Sequence, residues 1–436
     1  MAPTSSEPLS PGAAGAADVT KSQVRPDVLA WGANQLWGLE QALENWLVGW
    51  TPNRIPDLRG RTALVTGGSS GIGLEVARKL AGNCCRVMLV SRDLAKGEAA
   101  AANIRASLGD TVNAGTVEVL QCNLLSLSEV GSLVAEVKRR LKAAGRGRDK
   151  DKAAEGGDHE GEGGLNMLLC NAAVFQPGGL VRSPQGIEQT LAVDLYTHVA
   201  LVFGLMEELK RAAAGRGGAR VVLQASQAEQ FGTLDPENLM GEHFTDSGMK
   251  AYACAKLWML MWGDELQRRL RAAGGDSAKI DVFAVHPGLV DSPLMDKADT
   301  GRHWNAGLIV LQNCLLGMPT WRGSLPALYA LTEPALGGSG FRYFGPNWLN
   351  SHMLGERTPG NRLWRVGGPE LRCRLFDEIN KVLGEVGQRP KHVPPPAPGS
   401  ATAGTGTGRK KQYGEQAAAE KAAAAVAPKG QAVAAH

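Results

Sequence analysis

Residues 62–81 read TALVTGGSSGIGLEVARKLA, and this stretch decides the fold. Thr62 to Thr66 form a short apolar strand that runs into a glycine turn, Gly67-Gly68-Ser69-Ser70-Gly71-Ile72-Gly73. LEVARKLA then reads as a helix. A glycine-rich turn that follows a strand and opens a helix is the context a dinucleotide fingerprint needs. Gly67 allows the tight turn, Gly71 lets the backbone approach a pyrophosphate, and Gly73 permits close helix–sheet packing. Ser69, Ser70 and Ile72 complete the loop, and the helix N-terminus offers N–H groups and a positive dipole end to phosphates. Taken alone, the turn also suits an ordinary strand-to-helix connection, so the flanking segments carry the decision.

Those segments keep the rhythm. RVMLVSR, TVEVLQCNL, LNMLLCNA, ARVVLQAS and IDVFAVHPG read as further strands, each separated from the next by a helical stretch. Strands alternating with helices predict βαβ units: an α/β fold with a doubly wound, mostly parallel sheet of the Rossmann type and helices on both faces. Residues 58–387 form this domain. Residues 1–26 have no apolar period and read as disordered, and 388–436 read as a second disordered tail. Between them, residues 27–57 hold an amphipathic helix with Leu36, Leu39, Leu43, Trp46, Leu47 and Trp50 on one face. It packs on the domain or rests on a membrane surface or a second subunit. Residues 144–164, Gly-rich and charged, read as a solvated insertion. Residues 292–385 read as a substrate lid in which Trp304, Trp321 and Trp348 are candidates for an apolar pocket.

Bulk properties narrow the function. The 436 residues carry a formal charge of only +4, which gives no case for nucleic-acid binding, since that needs a concentrated basic face. The seven cysteines show no metal-ligand spacing, and lone His159 among acids makes no metal site. Most of the cysteines lie in apolar runs, which suits a reducing compartment: cytoplasm, or a plastid or another reducing organelle. No stretch reaches the roughly 18 apolar residues of a membrane-spanning helix.

Two further positions carry chemistry. The second strand ends Val90-Ser91-Arg92, where an NAD enzyme would place an acid against the ribose hydroxyl. Arg92 instead suits a 2′-phosphate, so NADP(H) is expected, with Asp93 as the neighbouring complication. Tyr252-Ala-Cys-Ala-Lys256 sets a phenol and an ammonium one helical turn apart. A positive charge so placed lowers a phenol's pKa, and such a phenol can exchange a proton with a carbonyl oxygen or an alcohol.

In this order the motifs resemble the short-chain dehydrogenase/reductase family over roughly residues 58–300. The resemblance implies that Ser226 polarises a carbonyl, Tyr252 is the acid/base, and Lys256 binds the nicotinamide ribose and tunes Tyr252. It also implies that Asn171 and Ala172 steady the sheet beside the cofactor, and that Pro287, Gly288 and Ser292 meet the nicotinamide. Asp194 stands where the family carries a catalytic Asn, and Asn123 where it carries an Asp against adenine; Ala173 replaces a Gly. The Asp194 carboxylate is expected to favour charged Lys256 and to disfavour tyrosinate. The long loop from Gln227 to Lys250 is similar to the retinol-dehydrogenase-like and WW-domain-oxidoreductase-like branch, which implies a lipophilic alcohol, aldehyde or ketone. CNAAVF also resembles light-dependent protochlorophyllide reductase. The expectation is an NADP(H)-dependent carbonyl/alcohol oxidoreductase acting on a small molecule, in a homo-oligomer by family resemblance. An NADP(H)-binding sensor or scaffold and a double-bond reductase are the alternatives.

Overall fold

A computed structural model describes residues 50–109, 115–152, 163–175, 179–215, 218–244, 248–288, 290, 318–346, 354–361, 364 and 368–388; for 146–152 and 354–355 the description is of the backbone only. The readings made for residues 1–49, 153–162, Ser292, Trp304, Trp348 and the tail from 389 therefore lie outside the described residues.

The elements run β1 (Thr62–Thr66), α1 (Gly71–Gly82), β2 (Arg86–Ser91), α2 (Leu94–Leu108), β3 (Val117–Gln121), α3 (Leu127–Lys152) and β4 (Met167–Cys170). Next come α4 (Gln189–Gly204), α5 (Met206–Ala214), β5 (Ala219–Gln224), α6 (Gly248–Ala273) and β6 (Ile280–Val285). The chain continues with α7 (Thr320–Gly323), α8 (Leu325–Thr332), β7 (Arg342–Pro346), β8 (Leu354–Arg357) and α9 (Gly368–Glu385). They build one eight-stranded sheet in the order β3-β2-β1-β4-β5-β6-β7-β8. All pairings are parallel except β7 with β8. The doubly wound sheet expected from the sequence is present, and the order reverses between β1 and β4. That reversal opens a crevice at the C-terminal strand ends, where such folds bind ligands.

Both sheet faces are covered, so the strands are apolar throughout rather than alternating. Leu64, Met88, Leu168, Leu223 and Ala284 face one core, shared with α3, α4, α6 and α9. Ala63, Val65, Leu89, Leu169, Val222 and Phe283 face the other, against α1, α2 and α8. Phe203 of α4 meets Trp262 of α6 edge-on at 5.6 Å, and Trp262 stacks on Phe376 of α9 at 5.8 Å. The guanidinium of Arg269 lies 4.1 Å over Phe376 and pairs with Asp377 at 2.9 Å.

Two sequence readings change. Much of the segment read as a lid is core: α8, β7 and α9 complete the sheet and its two hydrophobic layers. GSGFRYFGP hides a strand because its parallel neighbour β6 supplies half of its pairing from far away in sequence. The helix α3 runs to Lys152, several residues into the stretch read as insertion, because nothing in AGRGRDKDK stops a helix that is already propagating. Between β4 and β5 the helical stretch is bent by 54° between α4 and α5. Among the described residues no single helix is long and apolar enough to cross a membrane; this bent pair meets the composition, but most of its residues are buried in the domain.

Candidate active site

The crevice is lined first by the turn after β1. Gly67 has φ +65° and Gly71 φ +57°, left-handed conformations in which a side chain is strained. A Cβ on Gly73 would stand 2.5 Å from the Gly67 carbonyl and 2.7 Å from Asn171 Nδ2, so only glycine allows α1 this close. A Cβ on Gly71 would meet nothing within 4 Å, which leaves its backbone open to the crevice. The first helical bond of α1 is Leu74 N–H to the Ser70 carbonyl. The N–H groups of Gly71, Ile72 and Gly73 thus have no helical acceptor, and Ser70 is an exposed N-cap whose side chain makes no capping bond. Half-buried Ser69 precedes it. This is a cradle with the donors and the clearance that a pyrophosphate needs.

Thr66 fixes the opposite wall. Its hydroxyl accepts the N–H groups of Asn171 at 2.8 Å and Ala172 at 3.0 Å. With both lone pairs used, it donates toward Leu169 O at 3.2 Å or His198 Nε2 at 3.1 Å. His198 Nδ1 lies 3.3 Å from the Asp194 carbonyl, the arrangement of a neutral ring with its proton on Nδ1. Burial, and then the nearby Lys256 charge, hold His198 down at about 3, so the ring stays neutral. The Asn171 amide donates to the Thr66 carbonyl at 2.9 Å. Asn171 and Ala172 therefore tie β4 to β1 through Thr66.

Beyond β2, Ser91 is buried and donates to the Asp93 carbonyl at 2.8 Å. The Asp93 carboxylate is occupied as the N-cap of α2, accepting from Lys96 N at 3.1 Å. Arg92 is exposed. The acid beside Arg92 is thus turned onto its own helix. Asn123 is also turned onto its own loop, its Oδ1 accepting from Leu125 N at 3.2 Å.

The reactive groups come together at the ends of β5 and α6. Ser226 caps the 3₁₀ turn Gln227–Phe231, accepting from Ala228 N at 3.2 Å, and its hydroxyl faces the Tyr252 phenol. Lys256 Nζ donates to the Gln224 carbonyl at 3.1 Å, pairs with Asp194 Oδ2 at 3.0 Å, and lies 5.2 Å from the Tyr252 ring centre. Asp194 and Lys256 are both essentially inaccessible. Asp194 sits in a π turn, Ala192–Tyr196, within α4. The wider turn sets Asp194 facing α6, and its Oδ1 accepts from Val174 N at 2.8 Å. Phe175 meets Tyr252 edge-on at 5.7 Å.

Electrostatics follow. Burial is the largest single influence and works against the Lys256 ammonium, but Asp194 and the Tyr252 phenol together outweigh it and the amine is pushed up. Asp194 is itself raised to about 6 by burial, against the pull of Lys256 and the Val174 N–H. The Tyr252 phenol is raised: burial is the largest cause, Lys256 and the nearby Ser226 hydroxyl pull it down, and Asp194 pushes it up. The sequence reading had Lys256 bring the phenol down. It does pull in that direction, but desolvation and Asp194 win in the protein without cofactor.

Gly288, with φ +76°, packs its backbone against Pro346 and Met318 and, with Pro287, brings the chain after β6 to the crevice edge. Trp321, a candidate pocket residue, is 47% exposed with Arg322 at 5.0 Å over its ring, so the described residues do not enclose it. Among the described residues no cluster fit to hold a metal occurs. Five of the six described cysteines are buried, and all six are free. Sequence reasoning missed Thr66 as the hub of the β1–β4 wall, the π turn, and buried Glu229. The first lay inside a strand, the second changes no residue pattern, and the third was one polar residue in a polar loop.

The profile described as short chain dehydrogenase matches residues 61–145. Human retinol dehydrogenase 11 is 31% identical over 312 residues, 71% of this chain and 85% of that protein. Mouse polyprenol dehydrogenase is 30% identical over 355 residues, 80% of this chain and 91% of that protein. Among solved structures, an uncharacterized protein from Mycobacterium paratuberculosis aligns with a TM-score of 0.53 at 25% identity, covering 77% of this chain and 98% of that one. With the glycine cradle, the Ser226–Tyr252–Lys256 cluster and relatives of this extent, the chain belongs to the short-chain dehydrogenase/reductase family, in its retinol-dehydrogenase-like branch.

Proposed function

We propose that the protein is an NADP(H)-dependent oxidoreductase that interconverts a carbonyl and an alcohol on a lipophilic small molecule. The observation that carries this reading is the Tyr252 phenol facing Ser226, with the Lys256 ammonium 5.2 Å from its ring centre. Gly67, Gly71, Ile72 and Gly73, with Ser69 and Ser70, would hold the pyrophosphate; Lys256 would hold the nicotinamide ribose and Asn123 the adenine. Bound NADP(H) supplies or accepts the hydride. In the reduction direction Ser226 donates a hydrogen bond to the carbonyl oxygen, and the Tyr252 O–H gives that oxygen its proton. The Lys256 charge stabilises the phenolate left behind. The Asp194 carboxylate keeps Lys256 charged but also holds the phenol in its acid form, which disfavours the phenolate that alcohol oxidation needs.

NADP(H) over NAD(H) is supported by exposed Arg92, by the absence of an acid at Ser91, and by Asp93 being engaged at α2. A guanidinium free of its neighbouring acid suits a 2′-phosphate. A lipophilic substrate is supported by the retinol and polyprenol named for the relatives, and by Phe175 on Tyr252 with exposed Phe231 and Met249 nearby in sequence. The buried free cysteines suit a reducing setting, for which we propose the cytoplasm. The test is NADPH-dependent reduction of a panel of lipophilic aldehydes and ketones, with NADP+ oxidation of retinol and a polyprenol as the reverse arm. Tight NADPH binding with no turnover on the panel would point to the sensor reading, which the raised Tyr252 phenol favours.

A further inference from the structure

The turn that carries Ser226 is fastened by a segment more than a hundred residues away. Asn361, wholly buried, donates its side-chain amide to the carbonyls of Glu229 at 2.8 Å, Gln230 at 3.2 Å and Gly232 at 2.8 Å. The adjoining Gly360 N–H donates to Glu229 Oε1 at 2.8 Å. A Cβ on Gly360 would stand 2.7 Å from the Gln230 side chain, so glycine sets how close this strap lies. Glu229 in turn donates its backbone N–H to the Ser226 carbonyl at 3.1 Å. The segment following β8 is thus bonded, through one residue, to the residue that faces Tyr252.

We propose that Glu229 and Asn361 are positioning residues for Ser226, and that the Gly360–Asn361 strap must be docked on the 3₁₀ turn for Ser226 to stand in register with Tyr252. The inference rests on the proposed oxidoreductase reading for its catalytic consequence, but the docking itself does not.

The chemistry of Glu229 makes the strap conditional. Its side chain is 2% exposed, and Oε2 is buried with no hydrogen-bond partner. The group facing it is the Tyr343 phenol of β7, whose hydroxyl is also buried without a partner; Arg357 of β8, whose Nε is likewise unpartnered, acts on that phenol rather than on the carboxyl. Tyr252 of α6 acts on the same Tyr343 phenol, and His286 lies 5.3 Å from its ring. No cation pairs with the carboxyl among the described residues. A carboxylate here would be a buried, unpaired charge, which is strongly disfavoured. Burial accordingly holds the carboxyl up at about 8, against the Gly360 and Asn361 backbone bonds. Above that pH the charge forms and draws water, and the strap lifts.

The experiment is amide hydrogen exchange on the full chain at pH 7 and pH 9, corrected for the intrinsic pH dependence of exchange. One unit above its midpoint a group is about 90% ionised. Protection of peptides spanning 227–232 and 354–361 should fall about tenfold in the wild type between the two pH values. In Glu229→Gln, which keeps an acceptor for Gly360, it should stay level. Equal pH dependence in both proteins overturns the proposal. As the second arm, Asn361→Ala should lower kcat about tenfold with little change in cofactor KM; an unchanged kcat, or a change confined to cofactor KM, also overturns it. If Asn361→Ala does not fold, the Glu229→Gln comparison still decides. Absence of turnover in the wild type would count against the proposed activity and leave the exchange result standing.

Discussion

Replacing Asp194 with Asn removes one oxygen's charge and almost no volume. The amide still offers Val174 N–H an acceptor in place of the present 2.8 Å bond, so the π turn keeps its anchor. What is lost is the counter-ion 3.0 Å from Lys256 Nζ. At an effective dielectric of about 20 that attraction is on the order of 5 kcal/mol. Much of it is offset by the desolvation of two buried groups, and removing one partner of a buried pair costs about 3–5 kcal/mol. Asn relieves part of this by still accepting a hydrogen bond, so about 3 kcal/mol of lost stability is expected in urea unfolding. The kinetic consequence has the opposite sign. Asp194 pushes the Tyr252 phenol up, so its removal lowers the phenol's pKa. Each unit corresponds to about 1.4 kcal/mol, and a shift of about one unit is expected. The assay is the pH profile of kcat/KM for alcohol oxidation, which needs the phenolate: the Asp194→Asn profile should begin to rise about one pH unit lower than the wild type. A profile that is unmoved or shifted upward, in a variant that is folded, refutes the reasoning.

Three further outcomes are expected. Arg92→Ala should raise the NADPH KM about 10- to 100-fold, the worth of a lost charge-assisted pair, while NADH kinetics change little; equal effects on both cofactors would remove the 2′-phosphate role. Gly73→Ala forces a Cβ to within 2.5 Å of the Gly67 carbonyl, and should cost about 1–3 kcal/mol in unfolding together with cofactor affinity measured by calorimetry. Glu229 has a folded-state pKa raised from 4.5 to about 8, so its contribution to stability is complete below about 4.5 and is lost as pH rises through 8. The wild type should therefore lose more stability than Glu229→Gln between pH 5 and 9, and parallel curves would contradict a buried acid.

The sheet was legible because its strands are buried on both faces and read as near-continuous apolar runs. The glycine cradle was legible because Gly67, Gly71 and Gly73 each answer to a local demand of φ or clearance. Tyr252, Lys256 and Ser226 could be picked out by order along the chain, though only the fold brings Asp194 of α4 against Lys256. What escaped was long-range. β7 is a strand because β6 lies beside it, and α9 belongs to the core because Phe376 meets Trp262. Glu229 sits in a polar loop that looks solvated until Gly360 and Asn361, more than a hundred residues later, close over it. The net direction of the Tyr252 phenol also escaped, since Tyr-x-x-x-Lys shows the cation but not the desolvation that outweighs it.

The most direct measurement is NADPH consumption, with the alcohol product quantified, for the wild type and Tyr252→Phe on the best carbonyl substrate of the panel. Loss of a positioned proton donor lowers kcat by about 100- to 10,000-fold. That loss, with NADPH binding retained by calorimetry, is the predicted result. Full turnover in Tyr252→Phe would contradict Tyr252 as the acid and base of this site.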